Sequence, residues 1–199
     1  AELRVSKIPL REALARLEQD GLVVSQPNRG FFVRGMSPEE AEEVFALRLK
    51  LEPEAAAEAG LKGTGSGQER PREALAQFDA EAVAHKATVG AANRAFHLAL
   101  VQPCGKRLTT DILSRLHVLA DRYVRKHLEP NGRVLRAEEE HHEMLDAWIN
   151  RKDARVRKLI MSHLEYTLGD LRGALRAEQM PRVAKTRAVK ATRKTARRA

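Results

Sequence analysis

The stretch that most restricts how this chain can fold is Val5–Arg34, VSKIPLREALARLEQDGLVVSQPNRGFFVR. Ser6 is a suitable helix N-cap, and Pro9 fits an early helical position, where a missing N–H costs nothing. Leu10, Ala13, Leu14 and Leu17 recur at i, i+3, i+4 and i+7, which predicts one apolar stripe on a helix. Lys7 and Arg11 lie one turn apart, off that stripe. Asp20-Gly21 predicts the helix end, with Gly21 free to take the left-handed conformation. Leu22–Val24 and Phe31–Val33 are β-prone runs, and the Gln26–Gly30 segment between them is dense in turn residues. A helix followed by a hairpin with Arg29 at its tip has the outline of a winged helix-turn-helix. In that motif the helix enters the major groove and the wing touches backbone or minor groove. Spacing alone leaves two readings open: a DNA reader, or a helix–hairpin pair with a solvated basic face.

Composition narrows the rest. The chain has 199 residues, room for one small and one medium domain or a single larger one. Hydrophobic residues make up 43%, enough for a core, while aromatics are only 4% and Ala and Leu are abundant, which favours packed helices over a sandwich or barrel. Cys104 is the single cysteine, so no internal disulfide can form; this suits a reducing cytoplasm. It stands between Pro103 and Gly105 and reads as a loop or helix-end residue rather than a nucleophile. No apolar run approaches the length of a membrane span, and no signal peptide is evident.

The net charge of +9 is unevenly spread. Pro181–Ala199 holds eight Lys or Arg and no acid, leaving 28 basic against 27 acidic residues in 1–180. The basicity belongs to the tail, residues 179–199. Its Ala/Thr-interleaved pattern predicts disorder and salt-dependent, non-specific attraction to DNA.

Between these ends the pattern is helical. Gly35-Met36 reads as a linker. Ser37-Pro38-Glu39-Glu40 predicts a helix start with a capping box, running to about Ala59, with Pro53 as a kink or junction. Gly60–Gly67 is Gly-rich and reads as a loop; it lacks the Gly-Lys-Ser/Thr ending of a phosphate loop. Further helices are expected near 70–87, 89–102, 106–128, 134–150 and 153–177, which makes six after the hairpin.

The N-terminal motif resembles the second half of the DNA-binding domain of GntR-family transcription regulators. The residues that carry it are Val5-Ser6-Lys7-Ile8-Pro9-Leu10-Arg11-Glu12-Ala13-Leu14, Leu17-Glu18, Gly21-Leu22-Val23 and Arg29-Gly30. The resemblance implies that Lys7 and Arg11 contact bases or phosphates and that Arg29 and Gly30 place the wing. It also implies that a first helix and most of a second precede this point in such domains. Without them the stripe Leu10, Leu14, Leu17 is expected to lack much of its cover, at about 1.5–3 kcal/mol per large apolar side chain. Arg4 stands where the family usually has glycine. The domain is therefore expected to span residues 1–35 without its first helices.

Six helices behind a winged helix resemble the FCD effector domain of the FadR branch, in its VanR-like subgroup, over residues 36–178. The landmarks are Asn93-Arg94-Ala95-Phe96-His97, Glu140-His141 and Ser162-His163-Leu164. Spacing alone puts Asn93 and His97 on one helix face and leaves open whether the seven histidines include a metal site or are ordinary polar residues. The resemblance implies that Asn93, His97, His141 and His163 line a cavity holding a divalent metal, with Asn93 where many relatives carry Asp. Zn or Ni is expected on three imidazoles. His141 is preferred to its neighbour His142 because it heads the order Glu-His-x-x-x-Leu-Asp-Ala; His117, His127 and His142 are read as ordinary. Glu138–Glu140 reads as a solvated helix start. No His-Glu-x-x-His motif accompanies the histidines, which speaks against a metalloenzyme.

The resemblance further implies a small organic acid effector, with Arg48 as the candidate for its carboxylate, and a homodimer on a DNA operator. A mostly α-helical, cytoplasmic transcription regulator is the expectation. The rival is an effector-binding bundle whose DNA association is non-specific and carried by the tail.

Overall fold

The computed structural model describes residues 6–63, 65–84, 88–128 and 133–179. The expectations for Ala1–Val5 and the basic tail fall outside these residues, as does the side chain of His127.

Helix α1 (Lys7–Gln19) starts after Ser6, as expected, though the Ser6 side chain makes no capping hydrogen bond. It ends on Gly21 at φ +76°, where Gly21 N–H donates to Glu18 O and Leu22 N–H to Leu17 O, a Schellman ending open to glycine at little cost. Strands β1 (Val23–Gln26) and β2 (Gly30–Val33) pair antiparallel, Val23 opposite Val33 and Gln26 opposite Gly30. Asn28 and Gly30 take positive φ to close the turn. Glu18 Oε1 accepts from Ser25 N–H at 2.7 Å, tying helix to hairpin. Among the described residues α1 buries none, and Leu10 and Leu17 of its stripe stay exposed.

Six helices follow: α2 (Pro38–Lys62), α3 (Glu69–Val83), α4 (Val89–Val101), α5 (Arg107–Leu128), α6 (Arg133–Ile149) and α7 (Asp153–Gln179). Helix α2 runs unbroken through Pro53 and three residues past Ala59, so the expected junction and the start of the expected loop are both helical. Pro53 is buried in it. Ser37 Oγ accepts from Glu40 N–H at 3.2 Å, but the reciprocal half of the capping box is missing. Ser37 N–H instead donates to the Tyr123 hydroxyl, which donates to Glu40 at 2.6 Å, so the start of α2 is capped by α5.

Helix α2 lies chiefly against α7, with α4, α5 and α6 completing the bundle around it. The core includes Phe45, Phe78, Phe96, Leu100, Tyr123, Trp148, Ile160, Leu164 and Leu171. Trp148 donates its indole N–H to Leu100 O at 3.0 Å, and its ring lies against the backbone at Gly60 and Gly63. Cys104 is buried in a short 3-10 turn, where its Sγ accepts from Lys106 N–H.

The hairpin unit rests on α5. Arg115 donates to Gln19 O at 3.3 Å, Arg122 donates to Arg34 O, and Leu119 Cδ2 lies 3.3 Å from where a Cβ on Gly21 would sit. No described helix is long and apolar enough to cross a membrane.

Candidate metal and effector site

Five of the six bundle helices send a polar side chain to one place in the core. Arg48 and Glu52 come from α2, Asn93 and His97 from α4, His117 from α5, His141 from α6, and His163 and Thr167 from α7, all buried. Each sits in its helix's apolar stripe. On α2 the buried positions Ala41, Val44, Phe45, Arg48, Glu52, Ala55, Ala56 and Ala59 keep the 3–4 spacing of a core-facing helix, and Pro53, Ala57 and Gly60 widen the buried face in its second half.

The rings of His97, His141 and His163 form a nearly equilateral triangle, with centroids 5.1, 5.0 and 5.0 Å apart. One nitrogen from each lies within 4.8 Å of the others. Phe78 and Phe96 pack on His141 at 4.6 and 4.7 Å and wall off one side. Nε2 of His97 and both ring nitrogens of His141 have no protein partner, although all three are buried. An unpartnered buried polar atom costs about 1–3 kcal/mol, so three on two rings need a reason. A cation supplies one: neutral imidazoles with free nitrogens are the donors that Zn²⁺ and Ni²⁺ prefer.

The protonation states agree. Burial pushes His97 down to about 3 against the pull of Glu52, and burial together with the neighbouring His163 and His97 pushes His141 well below the usual imidazole range. Both are neutral near pH 7 and can ligate without first losing a proton.

Two carboxylates orient the rings. His163 Nδ1 lies 2.6 Å from Glu140 Oε2, and with that nitrogen committed, Nε2 is the one left for the triangle. Glu140 is thus no merely solvated residue of a charge run. Glu52 lies deeper: His97 Nδ1 is 2.8 Å from its Oε1 and His117 Nε2 is 3.2 Å from its Oε2. Both rings thus lie in polar contact with the one buried carboxylate. Arg48 donates Nε and Nη2 to the two oxygens of Glu52, at 2.8 and 3.3 Å. Burial alone would raise the Glu52 carboxyl; the Arg48 guanidinium and His117 outweigh it and hold it well below the usual carboxylate range. His117, read from sequence as ordinary, is therefore buried beside the site. Its contact with Glu52 follows from α5 packing on α2 and α4.

A small cavity of about 10 Å³, room for roughly one water, is lined by Arg48, Asn93, His163, Thr167 and apolar neighbours. Asn93 and Arg48 thus share a cavity wall with a histidine of the triangle. His142 points the other way, its Nε2 3.1 Å from Asp79 Oδ2 on α3. Lys7, Arg11, Arg29 and Gly30 are exposed on the helix–hairpin unit, with Arg29 at the hairpin tip over Phe32.

A helix–hairpin unit with exposed basic residues, seated on a helical bundle, has the architecture of a DNA-binding transcription regulator. Comparison with known proteins places it further. Residues 1–33 match "Bacterial regulatory proteins, gntR family", and residues 43–166 match the FCD domain. The chain belongs to the GntR family, as a regulator bearing an FCD domain. It is 31% identical over 178 residues to the HTH-type transcriptional regulator BphR of Paraburkholderia xenovorans, covering 84% of this chain and 71% of that one. It is 28% identical to the HTH-type transcriptional repressor GlaR of Escherichia coli over 78% of this chain and 75% of GlaR. Among solved structures, E. coli McbR/YncC shares the fold at a TM-score of 0.75 and 20% identity, over 87% and 83% of the two chains. A GntR regulator from Rhodococcus sp. RHA1 matches at a TM-score of 0.72 and 26% identity, over 86% and 83%. BphR, GlaR and the Rhodococcus protein all carry the names of transcription regulators.

Proposed function

We propose that this regulator holds a divalent metal on His97, His141 and His163, and that a small organic acid binding beside it sets the affinity for a DNA operator. The observation that carries the reading is the triangle of buried rings, in which both nitrogens of His141 and Nε2 of His97 have no protein partner. Bound metal would supply a Lewis-acid anchor for a carboxylate. Asn93 adds a neutral amide oxygen from the same helix as His97, a weaker donor than the Asp of many relatives, and Zn or Ni is the favoured ion.

The effector has to enlarge the 10 Å³ cavity, which fits a ligand that works by shifting helices. Arg48 lies in the cavity wall, with its charge already met by Glu52. An organic carboxylate would have to share the guanidinium with Glu52 or draw it away. Helix α5 is the route to DNA: it carries His117 against Glu52 on its inner side and Arg115, Leu119 and Arg122 against the helix–hairpin unit on its outer side. A shift of α5 therefore moves the DNA-reading unit of residues 1–35 relative to the effector domain of 36–178. Lys7 and Arg11 would contact the major groove and Arg29 with Gly30 the flanking backbone, two copies binding paired half-sites in the cytoplasm.

Metal analysis after loading the purified chain with zinc or nickel tests this. Uptake lower by one equivalent in His97→Ala and in His163→Ala than in the unsubstituted chain supports the triangle. Uptake in both variants equal to that of the unsubstituted chain overturns it.

A further inference from the structure

Phe78 and Asp79 are consecutive on α3, and His141 and His142 are consecutive on α6. Phe78 packs edge-on against His141 inside the bundle, centroids 4.6 Å apart. The next residue on a helix is turned by about 100°, so that internal contact fixes where both neighbours go. Asp79 and His142 leave the core side by side, Nε2 to Oδ2 3.1 Å. Glu138 stands one turn before His142 on α6 and brings a second carboxylate to the same spot. One ligand atom from each of Asp79, Glu138 and His142 lies within 4.8 Å of the others.

We propose that Asp79, Glu138 and His142 form a second divalent-metal site, bridging α3 and α6 on the outside of the bundle. The donor set is one imidazole and two carboxylates, an N/O set suited to a first-row divalent ion, with solvent filling the remaining positions. Two carboxylates balance the ion's charge, unlike the triangle of neutral imidazoles inside. The second oxygen of Asp79, Oδ1, is buried and has no hydrogen-bond partner. The pairing with His142 thus uses only half of the Asp79 carboxylate. At metal–ligand distances of about 2.0–2.2 Å, donor atoms come to roughly 3 Å from one another, which the Asp79–His142 pair already matches. Only the Glu138 side chain has to close in. The site is open: the His142 side chain is 57% exposed and that of Asp79 27% exposed, so an ion reaches it without any opening of the core. An ion here pins α6, the helix that supplies His141, to α3. The proposal uses no residue of the internal triangle and stands independently of it.

Zinc titration of the full chain, followed by measurement of retained zinc, provides the test. The expected result is two equivalents for the unsubstituted chain, with one lost in His142→Ala and in Asp79→Asn while the other remains. The paired variant His97→Ala/His163→Ala is expected to keep the outer equivalent and to gain thermal stability from zinc, a gain that disappears once His142→Ala is added. Zinc uptake by His142→Ala and Asp79→Asn equal to that of the unsubstituted chain would overturn the proposal, as would a paired internal variant that binds no zinc. If His142→Ala loses an equivalent while the internal variants lose none, the outer site stands and the internal reading falls.

Discussion

His163 on α7 presents Nδ1 to Glu140 Oε2 on α6 at 2.6 Å, and this contact decides which face of the ring meets the other two histidines. The same α6 turn carries His141, a ligand candidate of its own. Ligand and orienting carboxylate are thus neighbours in sequence but serve different rings.

Glu140→Gln keeps the size of the side chain and removes its charge. It is expected to weaken metal binding at the triangle by about 10–100-fold without abolishing the equivalent, as loss of an orienting carboxylate does elsewhere. A competition titration against a chelator of known affinity measures this. Unchanged affinity would mean that His163 is held in place by packing alone.

The Arg48–Glu52 pair is buried, with Arg48 1% and Glu52 0% exposed. Removing one partner of such a pair costs about 3–5 kcal/mol, because the other charge stays buried unpaired. Glu52→Ala should therefore lower the denaturant midpoint strongly. The double change Arg48→Met/Glu52→Leu should recover most of that loss, since it strands no charge. Equal destabilisation by the single and the double variant would show that the pair is not what matters.

Gly63 lies under Trp148. A Cβ there would collide with the far edge of the indole, which is fully buried against the core. The backbone at Gly63 has φ −66°, open to any residue, so the effect of Gly63→Ala is steric alone. Overpacking of this kind costs about 1–3 kcal/mol, and thermal unfolding should show it as a clear drop in Tm. Gly67→Ala, with no neighbour within 4 Å of the added carbon, serves as the control.

Arg11→Ala is expected to weaken operator binding by about 1–3 kcal/mol if the guanidinium reads a guanine edge. The loss should be confined to the specific site. An equal loss on random DNA would reduce Arg11 to a phosphate contact.

Removal of residues 181–199 takes away eight basic side chains. Affinity for random DNA at low salt should fall, and the slope of log K against log salt should flatten, by up to about one unit per lost phosphate contact. Sequence-specific binding that survives the truncation favours the regulator. Its disappearance would favour the rival, in which the tail carries all DNA association.

Much of this was legible in the sequence because it is local. Helix α1, the hairpin and its positive-φ Asn28 and Gly30 follow from periodicity and turn chemistry within about thirty residues, and the six bundle helices follow from apolar repeats broken by Gly and Pro. His97, His141 and His163, which the family resemblance picks out, lie together in the bundle core. Glu52 and His117 carry a signal in the sequence too: each is a polar residue at a core position of its stripe, Glu52 between Phe45 and Ala55, His117 between Leu113 and Ala120. Pro53 misled because a proline inside a helix usually kinks or ends it, whereas here packing against the neighbouring helices keeps α2 continuous.

The sequence by itself determined which residues form helices and which face of each turns inward, since both depend on neighbours three and four positions away. Which inward residues meet was decided only by the tertiary structure. The meeting of His97, His141 and His163 and the place of Glu52 beneath them depend on how four helices pack. That packing is set by contacts among residues far apart in the chain.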